Sequence, residues 1–227
     1  MPSPRQTFDA QLHALEQRLL RMGSFVEGML EDSVKALELQ DTALAEEVVR
    51  RDDVADELDL DIETSCMHML ALQQPMSKDL RVIGTALKIT TDLERIGDYS
   101  VDIARTAIEL ASEPFLRPLV RIPRMAEFTS RMVRGALEAF VSRNAEKIDE
   151  VVNLDDQVDD LNVQVWAAMT MEMKEDPSSI YRNAHMILVA RYLERIADHA
   201  VNVAERVQYM ETGILRQLAA SHQTPGA

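Results

Sequence analysis

A chain that contains one segment twice must fold as two copies of one unit, and both copies must obey the same packing rules. Leu93-Glu94-Arg95-Ile96-Gly97-Asp98, followed by Val101 and Ala104, returns 100 residues later as Leu193-Glu194-Arg195-Ile196-Ala197-Asp198, followed by Val201 and Ala204. The match extends beyond this stretch. Ala36-Leu37-Glu38 returns as Ala136-Leu137-Glu138 at the same offset. Between these blocks the offset is 103, carrying Val48-Val49 to Val151-Val152, Asp52-Asp53 to Asp155-Asp156, and Asp56 to Asp159. A three-residue insertion before Val151, balanced by a later deletion, accounts for the change.

The repeated unit is helical. Only 4% of residues are aromatic, and there are just seven Gly and eight Pro in 227 residues, while good helix formers dominate. Phe8, Leu12, Leu15, Leu19, Met22, Val26 and Met29 step by four and three, and Ser33 and Leu37 extend the same stripe, so one long amphipathic helix is expected there. Gly23 and Gly28 are expected to allow close helix approach. Asp41 is placed to cap a second helix running to Gln73, with Leu44, Val48, Ala55, Ile62 and Met69 on its core face and Leu58 beside it. Pro75 ends it, and Ser77 is read as the cap of a third helix holding Leu80, Ile83, Leu87, Leu93, Val101 and Ile108. Pro114, Pro118 and Pro123 punctuate a linker. The second half repeats the pattern from about Arg124 to Val141, from Asn144 to about Lys174, and from about Pro177 to Met210, with Met125, Phe128, Met132 and Ala139 in its core.

The expected fold is all-α: two tandem three-helix bundles, over residues 1–113 and 121–213, with a loose tail over 214–227. A formal charge of −15 repels phosphate backbones and anionic lipid, which argues against direct nucleic-acid binding. There is no long apolar run and no signal peptide, so neither membrane insertion nor export is expected, and the cytoplasm is the expected compartment. The lone Cys66 agrees with a reducing compartment.

Glu94, Asp98 and Asp102 recur every four residues along one helix, so they form a single stripe beside its apolar face. Asp52, Asp56, Asp59 and Glu63 form a similar border on the neighbouring helix. Like charges so spaced cost an isolated helix roughly 0.2–0.5 kcal/mol per pair. Solvation with nearby Arg95 and Arg195 is one relief, and a hard cation held by oxygen ligands (Fe, Mn, Mg or Ca) is another. Spacing leaves both open.

The doubled Leu-Glu-Arg-Ile-Gly/Ala-Asp motif, with Lys78-Asp79-Leu80-Arg81 and Leu87-Lys88-Ile89 upstream and Asn202-Val203-Ala204-Glu205 downstream, closely resembles the signature of the PhoU family over roughly residues 8–210. The resemblance implies a cytoplasmic, non-enzymatic negative regulator of phosphate uptake and of the phosphate-starvation regulon. It implies contacts with the phosphate ABC transporter ATPase PstB and the sensor histidine kinase PhoR, and pairing into a homodimer is a further expectation. It also implies multinuclear iron or zinc clusters: one on Asp52, Asp56, Glu94, Asp98 and Asp102, another on Asp155, Asp159, Glu194, Asp198 and Asn202. The chain departs from the family pattern at Asp102 and Arg105, where Asn and Glu are usual, and carries Asn162 and Trp166 opposite Asp59 and Glu63. The first half, with its extra carboxylate, is therefore expected to hold cations better.

Two other readings compete. A ferritin-like di-metal enzyme would need Glu-x-x-His pairs, but Gly97 and Ala197 stand where the histidines would be. A structural or scaffolding bundle would bind no metal. His199 is off the acidic stripe and reads as a packing or surface residue, and His13, His68 and His185 lack partners at ligand spacing.

Overall fold

The computed structural model describes residues 4–113 and 119–218, excluding the Pro4 and Ala145 side chains, and every regular element among them is helical. The helices are α1 (Pro4–Leu39), α2 (Thr42–Arg50), α3 (Asp52–Gln73), α4 (Ser77–Glu109), α5 (Arg121–Ser142), α6 (Ala145–Glu175) and α7 (Ile180–Thr212), with a short 3-10 turn at Pro177–Ser179 leading into α7. No helix among the described residues is long and apolar enough to cross a membrane.

The expected stripes are the buried ones. Phe8, Leu15, Leu19, Met22, Val26 and Met29 are buried along α1, and Val48, Ala55, Ile62 and Met69 along α2 and α3. In α4 the buried row runs through Val82, Ile83, Ala86, Ile89, Leu93, Ile96, Val101 and Ala104. Leu80, expected in that row, is instead 48% exposed, because the row passes to one side of it. Leu80 and Leu87 mark the edge of the apolar face, and Glu94 and Asp98 continue that edge.

The second helix of the first half is not continuous. Asp41 caps it as expected, accepting the Leu44 amide at 3.1 Å. At Arg51, however, the backbone N–H is shared between the Glu47 and Val48 carbonyls, which tightens the turn and separates α2 from α3. The break leaves Asp52 and Asp53 in a first helical turn, where the helix dipole favours their charge. Its counterpart α6 is unbroken. Ser77 does not cap α4: Met76 is the capping residue, and no side chain bonds to that end. Pro123 lies inside the first turn of α5, where a missing amide hydrogen leaves no helical bond unmade.

Each half is an up-down-up bundle. Gln73 Nε2 reaches Gln11 Oε1 at 3.4 Å, so α1 and α3 run antiparallel, while Thr90 Oγ1 lies 3.3 Å from the Met22 sulfur where the parallel α1 and α4 meet. The two bundles then pack together through α1 with α5 and α4 with α7, and one hydrophobic core runs through both. A Cβ at Gly23 would strike Leu137 of α5, so this glycine serves a close approach between the halves. Gly28 meets nothing within 4 Å and serves none.

The seam between α4 and α7 carries the polar contacts. Arg81 Nε donates to the Met210 carbonyl at 3.2 Å, His199 Nδ1 lies 2.9 Å from Asp92 Oδ1, and His185 Nε2 lies 2.8 Å from Glu109 Oε2. These pairs run in opposite order along the two helices, as an antiparallel pseudo-twofold requires. Asp92–His199 in one direction is answered by Tyr99–Tyr192 in the other, their rings stacked at 6.0 Å.

Residues 214–218, read from sequence as part of a loose tail, fold back along α7. There the Leu218 amide donates to Glu205 Oε1 at 2.7 Å and its side chain packs on the core. Residues 219–227 lie outside the described residues, as does 114–118 of the linker. Cys66 is buried, which pushes its thiol up to about 12 and leaves it without nucleophilic character.

Candidate functional site

In the first half, α3 presents Asp52, Asp56 and Asp59 towards Glu94, Asp98 and Asp102 of α4. The carboxylates are near enough to feel one another. Burial is the main cause that raises the Asp52 carboxyl above its ordinary range, with Asp56 and Asp98 adding to it and Arg105 opposing. Burial also leads for Glu94, followed by Asp98, with Arg95 opposing and Asp59 and Asp56 adding more distantly. Asp102 is raised by burial against the charge and hydrogen bond of Arg105. Arginines occupy the border: Arg95 lies 2.7 Å from Asp98 and 3.4 Å from Glu94, and Arg105 lies 3.4 Å from Asp102. Asp59 is tied down separately, accepting the Thr90 hydroxyl at 2.8 Å.

In the second half, α6 carries Asp155 and Asp159, and α7 carries Glu194, Asp198 and Asn202, while Glu205 accepts the Leu218 amide instead. Asp155 is only 3% exposed. Glu194 is the telling residue. One of its oxygens pairs with Arg191, while Oε2 is buried with no hydrogen-bond partner. Its carboxyl is pushed up, chiefly by burial and then by Asp198, against Arg191 and Arg195, with Asp159 adding. Arg195 pairs with Asp198 at 3.1 Å. Asn202 turns its amide nitrogen to Asp92 across the seam, at 3.3 Å.

The donor set is oxygen throughout, which suits hard cations, and a buried anionic oxygen without a partner is the kind of vacancy a cation satisfies. As the side chains stand, no three His, Cys, Asp or Glu among the described residues converge closely enough to hold one ion. Arg95, Arg105, Arg191 and Arg195 now pair with these carboxylates and would have to give way to a cation. Each is about half exposed, and such surface ion pairs are worth about 0–1 kcal/mol, so the rearrangement is cheap. The donor types thus suit a hard cation, while their present spacing does not form a coordination site.

Two participants were not singled out from the sequence. Asp92 binds both His199 and Asn202, and Thr90 holds Asp59. No spacing rule could have found them, because their partners lie on other helices. His199 is a seam residue, its ring tilted against Tyr99 at 5.9 Å, and not part of the acidic stripe.

Comparison with known proteins gives a consistent result. The family description "PhoU domain" matches residues 19–107 and again 122–207. A phosphate-specific transport system accessory protein PhoU homolog from Clostridium acetobutylicum is 39% identical over 210 residues, covering 92% of this chain and 96% of that protein. A second PhoU homolog of the same description, from Rhizobium meliloti, is 35% identical, covering 91% of this chain and 87% of its own length. The crystal structure of PhoU from Pseudomonas aeruginosa superposes with a TM-score of 0.87 at 37% identity, over 91% of this chain and all (100%) of that one. That of the phosphate transport system regulatory protein PhoU from Streptococcus pneumoniae also gives 0.87, at 30% identity, over 93% of this chain and 100% of its own.

Proposed function

The chain belongs to the PhoU family, and from that membership we propose that it restrains phosphate uptake and the phosphate-starvation regulon when phosphate is plentiful. The coarser statement, a role in regulating phosphate transport, follows from the relatives that cover most of its length. The finer reading adds contact with a PstB-type ATPase and a PhoR-type sensor kinase in the cytoplasm, and no catalysis. The observation that carries it is the doubled PhoU match over both halves, together with a carboxylate border in each.

Cations at these borders supply neutralisation. In the first half, Asp52, Asp56, Glu94, Asp98 and Asp102 would hold them, and in the second Asp155, Asp159, Glu194, Asp198 and Asn202. Iron or zinc clusters are the family expectation, while the all-oxygen donors equally suit manganese, magnesium or calcium. Each border joins two helices, so a bound ion would stiffen α3 against α4 and α6 against α7 and hold the outer face in one shape for a partner.

Deleting the gene in its host should derepress a phosphate-starvation reporter in phosphate-rich medium, and the intact gene should restore repression. Affinity capture from the same cells should retain the transporter ATPase or the kinase, with metal in the eluate. A reporter that stays silent in the deletion strain overturns the regulatory reading.

A further inference from the structure

The two borders carry matching acids but place their arginines differently. Arg95 and Arg195 answer each other, pairing with Asp98 at 2.7 Å and with Asp198 at 3.1 Å. The other border arginines have no such counterpart. Arg105 stands where the second half has Glu205, and Arg191 stands where the first half has Thr91. Asp102, beside Arg105, faces the same exchange, because the second half has Asn202 there. The first half has thus gained an acid and turned another into a base. Asp102 and Arg105 are neutral together, whereas Asn202 and Glu205 carry one negative charge.

The exchange moves positive charge from one end of the row to the other. Arg191 pairs with Glu194. Arg105 instead lies 3.4 Å from Asp102 Oδ1, and its charge also reaches Asp52 on α3, where it opposes the burial that raises that carboxyl. Glu205, in the place of Arg105, accepts the Leu218 amide at 2.7 Å and adds no positive charge. The backbone reinforces the same end of the first border. The break at Arg51 starts α3 at Asp52, so the dipole of α3 favours that carboxylate. Its counterpart Asp155 lies well inside the unbroken α6. A guanidinium and a helix start, neither of which the second half has there, therefore serve the Asp52–Asp102 end.

We propose that Arg105 is a built-in counter-ion that sets the first border's cation affinity low, leaving the second border to answer to cation supply. The inference rests on reading the borders as cation sites, and it gives the two of them unequal roles. A guanidinium roughly 5–7 Å from a divalent cation weakens its binding about 10-fold even at the dielectric constant of water, and more where the groups are half-buried.

The test is manganese titration calorimetry on the full chain carrying Asp198→Ala, which leaves the first border to be read. This parent is compared with the same chain bearing Arg105→Gln, Arg105→Glu or Arg105→Lys. Arg105→Gln should tighten manganese binding about 10-fold and Arg105→Glu about 100-fold, while Arg105→Lys, which keeps the charge, stays within about 2-fold of the parent. In chelator near neutral pH, Arg105→Glu should lower the melting temperature, and manganese should restore it. Arg105 is 58% exposed, so these substitutions leave the core intact. Equal tightening by Arg105→Lys and Arg105→Gln overturns the proposal, because bulk and not charge would then decide. So does manganese affinity that no Arg105 substitution changes, or a higher melting temperature for Arg105→Glu in chelator. The border reading fails separately. A native chain that binds no manganese, while Arg105→Glu binds it, removes the native cation sites and supports the counter-ion. Native binding lost in Asp198→Ala and regained by no Arg105 substitution keeps the second site and overturns the counter-ion.

Discussion

Glu194 concentrates the chemistry of the border in one side chain. An acid whose folded pKa lies above its unfolded value costs stability once ionised in both states, and that cost disappears as the pH falls to the unfolded value. Glu194, Glu94, Asp52 and Asp102 are all raised, burial first. The metal-free protein is therefore expected to melt at a higher temperature as pH falls from neutral through the raised range towards ordinary carboxylate values of about 4. Glu194→Gln should raise the neutral-pH melting temperature and flatten that dependence. Thermal melts in chelator across this range check both, and a melting temperature that only falls on acidification contradicts the prediction. Gly97 makes a second prediction at this scale. A Cβ there would meet Val26, Ala55 and Met29 at 3.6–4.0 Å, ordinary contact distances, and the repeat already carries Ala197 in the matching place. Gly97→Ala should stabilise by about 0.5–1 kcal/mol in denaturant unfolding.

At the scale of elements, the α4–α7 seam joins the halves through groups that the helical pattern alone does not mark. Asp92 is mostly buried and accepts from Asn202 while facing His199. Asp92→Ala leaves both partners unmet, so a loss of about 1–3 kcal/mol is expected in denaturant unfolding. A double-mutant cycle with His199→Ala should show coupling, and strict additivity would mean that the contact carries no energy. The carboxylate borders are also a property of paired elements. The extra carboxylate of Asp102 favours the first half, but Arg105 pairs with it, whereas the second half has the unpartnered Glu194 oxygen. From the unpartnered Glu194 oxygen we nevertheless expect the second border to bind the more tightly, against the order expected from the sequence: Asp198→Ala should cost more manganese binding than Asp98→Ala. Titration calorimetry on the two variants decides it, and a larger loss in Asp98→Ala would restore the original order.

At the scale of the whole molecule, two bundles share one core, so a cation that stiffens either border is felt by both. Adding manganese to the chelated protein should raise the melting temperature in a single cooperative step, and Asp98→Ala combined with Asp198→Ala should abolish the rise. The duplication, the helical stripes and the acidic borders were legible in the sequence because each follows from local spacing: 3.6 residues per turn decide which side chains share a face. The same rule put Glu94, Asp98 and Asp102 in one row without any knowledge of what faces them. It misplaced Leu80, because the limit of a buried face depends on the neighbour that covers it. It also missed the break at Arg51, where the backbone tightens while Arg51 reaches Asp32 on another helix at 2.6 Å. Only tertiary structure decided that Asn202 turns to Asp92, that a Glu194 oxygen is left without a partner, and that Leu218 folds back onto Glu205. Those outcomes depend on which helices meet, at what register and how far each extends. Such helix contacts join residues 70 to more than 100 positions apart, and no local repeat records them.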